Sequence, residues 1–163
     1  MSKFTRGEKG EEVVSLELSK SKIPHRLINN LMLEDKKGGT HQVDHIFICH
    51  KGIFVIETKN YYGEISDNAN DSIWLRRVNG KIDRFANPLH QNSSHIRTIK
   101  EIIGKNFEFI SLVVFVKSNA PYMPDDNVID LNNLLLFINE YPNNSEISND
   151  QIEKIYTTLL YAE

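Results

Sequence analysis

The stretch QVDHIFICHKGIFVIETK, residues 42–59, constrains this chain more than any other. Two uncharged apolar runs, Ile46–Cys49 and Ile53–Ile56, are separated only by His50, Lys51 and Gly52. Strands that are apolar on both faces must be covered on both faces, and a gap this short closes a hairpin. Yet Asp44 enters the first strand and Glu57 and Lys59 leave the second. A buried charge costs several kcal/mol unless it is paired. Either the strands surface at that end, or the charges belong to a site.

Taking Lys51-Gly52 as a two-residue loop pairs His50 with Ile53 and sets Asp44 opposite Lys59, with Glu57 on its diagonal. Side chains alternate along a strand. Gln42, Asp44, Glu57 and Lys59 are therefore predicted at one end of one face, which Ile46, Ile48, Ile53 and Val55 continue as core. Two carboxylates beside an ammonium suit a hard divalent cation, which takes one or two carboxylates plus water and substrate phosphate. Such a cation can activate water for attack on a phosphodiester, and a lysine can stabilise the charge that develops. The alternative is a salt-bridge network at a strand end. An acid-x-Lys triplet is weak by itself: Glu34-Asp35-Lys36 repeats the spacing in a glycine-rich turn where charge is cheap.

The remaining pattern places these strands in a larger sheet. A first helix is predicted over Gly7–Lys20, a strand over LINNLML, a turn at DKKGGT and a long strand over HQVDHIFICH. SIWLRRV and KIDRF read as a hairpin joined by Asn79-Gly80. Asn87-Pro88 opens a helix that Gly104 closes. FEFISLVVFVKS reads as a further strand, NAPYMPDDN as a loop, and Leu131–Asn139 and Asp150–Tyr161 as helices. The order predicts a single α/β domain over residues 1–163, its mixed central sheet flanked by helices on both faces.

Composition limits the function. With 19 basic and 22 acidic residues the net charge is −3, which argues against coating nucleic acid by bulk electrostatics and leaves a local basic groove open. One cysteine, Cys49, excludes an internal disulfide framework and fits a reducing compartment. No secretion signal or membrane-length apolar run stands out, so a cytoplasmic protein with no membrane partner is expected. His41, His45, Cys49 and His50 invite a zinc reading, but His41 and Cys49 lie roughly 26 Å apart on one strand and cannot share an ion. Trp74 reads as a core anchor. Arg76 and Arg77 lie in the densest basic stretch, where a solvated edge competes with phosphate contact. Gln91 and His95 share a helix face near a helix N-terminus, which attracts phosphate.

GEKGEE, QVDHIFICHKGIFVIETKNYYG, the lone Trp74 and NPLHQNSSHI, in this order, resemble the nuclease-related domain (NERD) family over roughly residues 6–105. That family is grouped with the restriction-endonuclease-like PD-(D/E)xK superfamily. The resemblance implies a restriction-endonuclease-like fold and a nuclease core dependent on Mg²⁺ or Mn²⁺. Asp44, Glu57 and Lys59 match its Asp…Glu-x-Lys signature, Glu11 the acid after the glycines Gly7 and Gly10, and Gln91 the glutamine of the later helix. Glu11 otherwise reads as a residue favouring its helix N-terminus. Val43 stands where the superfamily label has proline, which is not a ligand. The expectation is a DNA endonuclease in DNA processing, with Asp44, Glu57 and Glu11 on the metal, Lys59 and Gln91 completing catalysis, and Gln42, His95, Arg76 and Arg77 contacting substrate. RNA is the second candidate partner, and a homodimer would supply further substrate area. The rival reading is a non-catalytic nucleic-acid-binding or protein-interaction module on the same fold.

Overall fold

In a computed structural model, residues 5–61, 64–66, 71–117 and 127–163 are described. Helix α1 (Arg6–Ser19) starts at a capping box: Thr5 Oγ1 accepts from the Glu8 N–H, and Glu8 Oε2 accepts from the Thr5 N–H. Strands β1 (His25–Glu34), β2 (Thr40–Cys49) and β3 (Gly52–Lys59) form an antiparallel meander. Three short strands follow, β4 (Glu64–Ser66), β5 (Ile73–Val78) and β6 (Lys81–Ala86), in a separate antiparallel sheet. Helix α2 (Pro88–Ile103) opens on Asn87, whose side chain accepts from the Leu89 N–H, with proline in the first turn. Strands β7 (Phe109–Phe115) and β8 (Val128–Asp130) add in parallel beyond β3, giving the order β1-β2-β3-β7-β8. A 3-10 turn (Leu131–Asn133), α3 (Leu134–Glu140) and α4 (Asn149–Tyr161) complete the chain.

The mixed sheet is covered on both sides, as its apolar strands require. Ile46, Ile48, Ile53 and Val55 pack with Ile99 of α2 and with Ile152, Ile155 and Leu159 of α4. Phe47, Phe54 and Ile56 pack with Val14 and Leu18 of α1 and with Leu134 and Ile138 of α3. Trp74 is the anchor of the small sheet: fully buried, it stacks on Phe115 at 6.4 Å and packs with Val113 and Val128. This is an α/β, restriction-endonuclease-like architecture.

Four expectations change. The loop between β2 and β3 is His50-Lys51, with Cys49 facing Gly52. Gly52 is required by close approach: a Cβ there would lie 2.6 Å from Ile110 Cδ1 and 2.9 Å from the Glu108 carbonyl, at φ +152°. Lys51 caps α3, its buried ammonium donating to the carbonyls of Ile138 (3.0 Å) and Asn139 (2.6 Å). Second, the strand expected over residues 107–118 is trimmed to Phe109–Phe115; just before it the Glu108 carbonyl still accepts from the Ile53 N–H, and the Glu108 carboxylate accepts from Tyr141 and Ser145. Third, β4 and β8 are three-residue strands with too little pattern to be read in advance. Most of the expected loop NAPYMPDDN lies outside the described residues.

The fourth change bears on the site. Ile28 shares a core with Leu31 and Leu33, and Ile46 and Ile48 share that core with Val43. Strict alternation would have put Val43 on the other face. The slip centres on Asn30, which lies opposite Asp44 between the pairs Asn29–His45 and Leu31–Val43 and adopts φ 54°. A left-handed residue inside a strand reorients its neighbours. Gln42 is thereby carried to the α1 side of the sheet, off the face shared by Ile46 and Ile48.

Candidate active site

The ladder between β2 and β3 ends at His45–Ile56. Beyond it Asp44 Oδ2 accepts the backbone N–H of Thr58 at 2.8 Å, so a carboxylate stands in the fork where the strands part. Glu57 and Lys59, two apart on β3, meet at 3.2 Å (Oε1 to Nζ), and Glu57 is 7% exposed. Glu11 reaches Asp44 from α1 through a side-chain hydrogen bond. His95 Nδ1 lies 3.8 Å from Glu57 Oε2 on the α2 side. The cluster is therefore assembled at a fork reached from both faces, and the single-face arrangement read from the sequence is corrected.

Glycine explains how α1 comes so near. A Cβ on Gly10 would lie 2.7 Å from Asn60 Cβ, and the Asn60 amide donates to the Arg6 carbonyl at 2.8 Å. Gly7 has no such constraint, its nearest neighbour lying 3.9 Å away. A chain of hydrogen bonds, exposed at Ser15 and buried at His45 and Thr58, holds the other side of the fork. Asn29 donates to Ser15 Oγ (2.8 Å) and its Oδ1 meets His45 Nδ1 (2.8 Å), while His45 Nε2 meets Thr58 Oγ1 (2.9 Å). Sequence reasoning missed His45, Thr58 and Asn60; only the Gly10 spacing could have hinted at one of them.

The electrostatics follow from crowding of like charge. Burial and the neighbouring Asp44 raise Glu11 to about 7, with Asp44 accepting its hydrogen bond. Burial raises Glu57 to about 7, Asp44 adding to the shift and Lys59 opposing it. Asp44 is also raised by burial, against the pull of the Thr58 N–H, Glu11 and Lys59. Burial, then the charges of His41 and Lys59, depress His95 to about 4. His95 is thus neutral near pH 7, and its approach to Glu57 is a dipolar contact rather than an ion pair.

The other expected residues divide. Gln91 lies one helical turn before His95, and its Oε1, like His95 Nδ1, is buried without a hydrogen-bond partner among the described residues. Gln42 bonds Asn30 at 2.6 Å and lines a cavity of ≈ 400 Å³ with Glu8, Glu11 and Glu12, a setting that repels phosphate. The adjacent arginines point oppositely: Arg76 lies 5.1 Å over the Tyr61 ring, whose centroid is 5.7 Å from Lys59 Nζ. Arg77 faces away, opposite Ile82 and Glu64 in the sheet. His41 bonds Asp35, His45 is taken up by Asn29 and Thr58, and Cys49 is core, in keeping with the rejected zinc reading.

Among the described residues no three His, Cys, Asp or Glu side chains by themselves form a group able to hold a metal ion. The set nevertheless fits a hard cation that keeps water and substrate oxygen among its ligands. Its donors are carboxylates whose mutual repulsion a cation relieves, and Gln91 Oε1 is an orphaned acceptor on the helix that carries His95.

A restriction-endonuclease-like sheet with an Asp…Glu-x-Lys cluster at its fork defines a nuclease-related class of protein. The model of the nuclease-related domain matches residues 6–116, and the chain belongs to that family. The chain is 32% identical to an uncharacterized protein of Bacillus anthracis over 163 residues, spanning 96% of this chain and 76% of that one. No solved structure matches it. No helix among the described residues is long and apolar enough to cross a membrane.

Proposed function

We propose that this protein hydrolyses phosphodiester bonds of DNA with the help of Mg²⁺ or Mn²⁺, as an endonuclease in DNA processing. The observation that carries this reading is the buried Glu57–Lys59 pair beside Asp44 and Glu11, with two glutamates raised to about 7. A fold that needed these residues only for stability would gain more from apolar side chains of the same volume. Asp44 and Glu57, with Glu11 as the third carboxylate, are the residues that would hold the cation. Once bound, the cation would supply Lewis-acid polarisation of the phosphoryl group and a nucleophilic water at neutral pH.

Lys59 places an ammonium where negative charge develops on the phosphorane oxygens, and its ion pair with Glu57 fixes its direction. Gln91 and neutral His95 offer polar atoms that orient water beside Glu57. Arg76, held over Tyr61 and paired at 2.9 Å with exposed Asp83, is the guanidinium next to Lys59 that would meet the substrate backbone by giving up that surface ion pair. The test is incubation of purified protein with single-stranded, duplex and branched DNA and with RNA, in Mg²⁺, Mn²⁺ or EDTA. Cleavage of DNA with either metal, lost in EDTA and in Asp44→Asn, is expected. Binding without cleavage under every condition would overturn the enzyme reading in favour of a binding module.

A further inference from the structure

Cations that the carboxylate cluster does not use gather on two of its flanks. On one, Lys36 and Lys37 of the β1–β2 turn share a cavity of ≈ 380 Å³ with Arg97 of α2. The two acids of that cavity are engaged within the fold. Asp35 accepts from His41 (2.9 Å) and from the N–H groups of Lys37 and Gly39, and Glu101 accepts the Lys36 N–H at 3.2 Å. The side chains of Lys36, Lys37 and Arg97 are exposed and have no partner among the described residues. On the other flank, the β5–β6 hairpin carries exposed Lys81, likewise unpaired among the described residues, on the same face as Arg76, whose guanidinium pairs with exposed Asp83 at 2.9 Å, a surface ion pair of little strength.

Contacts run without a break from one flank to the other through the site. Asp35 meets His41; the His41 ring stands edge-on to His95 at 5.6 Å; His95 lies 3.8 Å from Glu57. Glu57 meets Lys59 at 3.2 Å, and Lys59 and Arg76 share the Tyr61 ring at 5.7 and 5.1 Å. The α1 side is closed to phosphate by Glu8, Glu11 and Glu12. An anionic polymer therefore has one favourable course across the cluster.

Resting on the phosphodiesterase reading above, we infer that the substrate is a polynucleotide whose backbone runs from the β1–β2 turn, across Glu57 and Lys59, to the β5–β6 hairpin. Lys36, Lys37 and Arg97 grip it on one side; Arg76 and Lys81 grip it on the other. Mononucleotides and dinucleotides, too short to engage both flanks, are not substrates. The overall charge of −3 makes the grip wholly local, hence strongly dependent on salt.

The test is fluorescence anisotropy of a labelled 20-base-pair DNA duplex in EDTA, where no metal-dependent cleavage takes place. Five phosphate contacts give a log–log salt slope of about −4.5, a loss of about 500-fold in affinity between 50 and 200 mM salt. Lys36→Glu/Lys37→Glu should flatten the slope by about 2 and, separately, Lys81→Glu by about 1, cutting that loss to about 30-fold and about 130-fold, and both should weaken binding at low salt. Lys105→Glu, just past the end of α2 away from Gln91 and His95, should match the parent. All four positions are exposed, and unchanged melting temperatures confirm intact folds. Failure of the parent to bind the duplex, an unchanged slope in either flank variant, or competition by a dinucleotide as strong as by the 20-mer overturns the inference. Binding that follows the expected pattern without cleavage in Mg²⁺ sinks the enzyme reading alone and leaves the backbone path standing.

Discussion

Glu57 sits between two opposed influences, with burial and Asp44 holding its proton on and Lys59 pulling it off. Removing the ammonium must therefore raise Glu57 above its value of about 7. In Lys59→Ala, kcat should fall by about 10²–10³-fold, the usual loss for one group that stabilises developing charge, while KM changes little. The acid limb of the pH–rate profile should also move to higher pH; an unmoved limb with kcat intact would remove Lys59 from the chemistry. Asp44 shows why the choice of substitution matters. From sequence, loss of its charge would only relieve repulsion, leaving the metal-free fold unharmed. The structure adds a cost, because Asp44 Oδ2 is the acceptor for the Thr58 N–H. Asp44→Ala strands that donor, at about 1–3 kcal/mol, whereas Asp44→Asn keeps an acceptor and discards the charge. Calorimetry at pH 8 without metal should rank asparagine above parent and alanine below parent, with both variants inactive.

At the scale of elements, α1 matters because one glycine lets it close on the end of β3. Gly10→Ala drives a Cβ to within 2.7 Å of the buried Asn60, so helix or strand must move, at a typical cost of 1–3 kcal/mol. Glu11 moves with the helix, and activity should fall alongside melting temperature. Gly7→Ala, on the same helix with nothing nearer than 3.9 Å, should lose neither. This contrast also marks how far the sequence could be read. The meander, the hairpin at Asn79-Gly80 and the caps of α2 were legible because periodicity and turn chemistry are local. Asp44, Glu57 and Lys59 were legible because charges had no bland place at the end of an apolar strand. The register was not, because Gly52 answers to Glu108 and Ile110, more than fifty residues away, rather than to its own turn. Gln42 was misplaced for a similar reason: the φ of 54° at Asn30 leaves no trace in the hydrophobic pattern. The His45 chain to Ser15 and Thr58, through Asn29, joins four elements and is invisible until they are folded together.

For the whole molecule, the buried groups make opposed demands on pH. Glu57 and Glu11 have folded values of about 7 against 4.5 unfolded, so each favours folding at low pH and loses that contribution as pH rises through 7. His45 and His95, depressed chiefly by burial to about 4 from 6.5, do the reverse: their contribution is full above 6.5 and is lost as pH falls toward 4. Glu57 and His45 are each worth about 3 kcal/mol at the limit, with opposite sign, over nearly the same window. The metal-free protein should therefore show a melting temperature that varies little between pH 4.5 and 6.5 and declines above it, where the carboxylates ionise and no histidine remains to gain. A cation bound by those carboxylates stabilises the folded state by mass action, and only where they are charged. Millimolar Mg²⁺ or Mn²⁺ should raise the melting temperature at pH 8, scarcely change it at pH 5, and have no effect at either pH in Asp44→Ala. An equal rise at both pH values would place the cation elsewhere on the surface, and no rise at pH 8 would show that the cluster does not bind it without substrate phosphate.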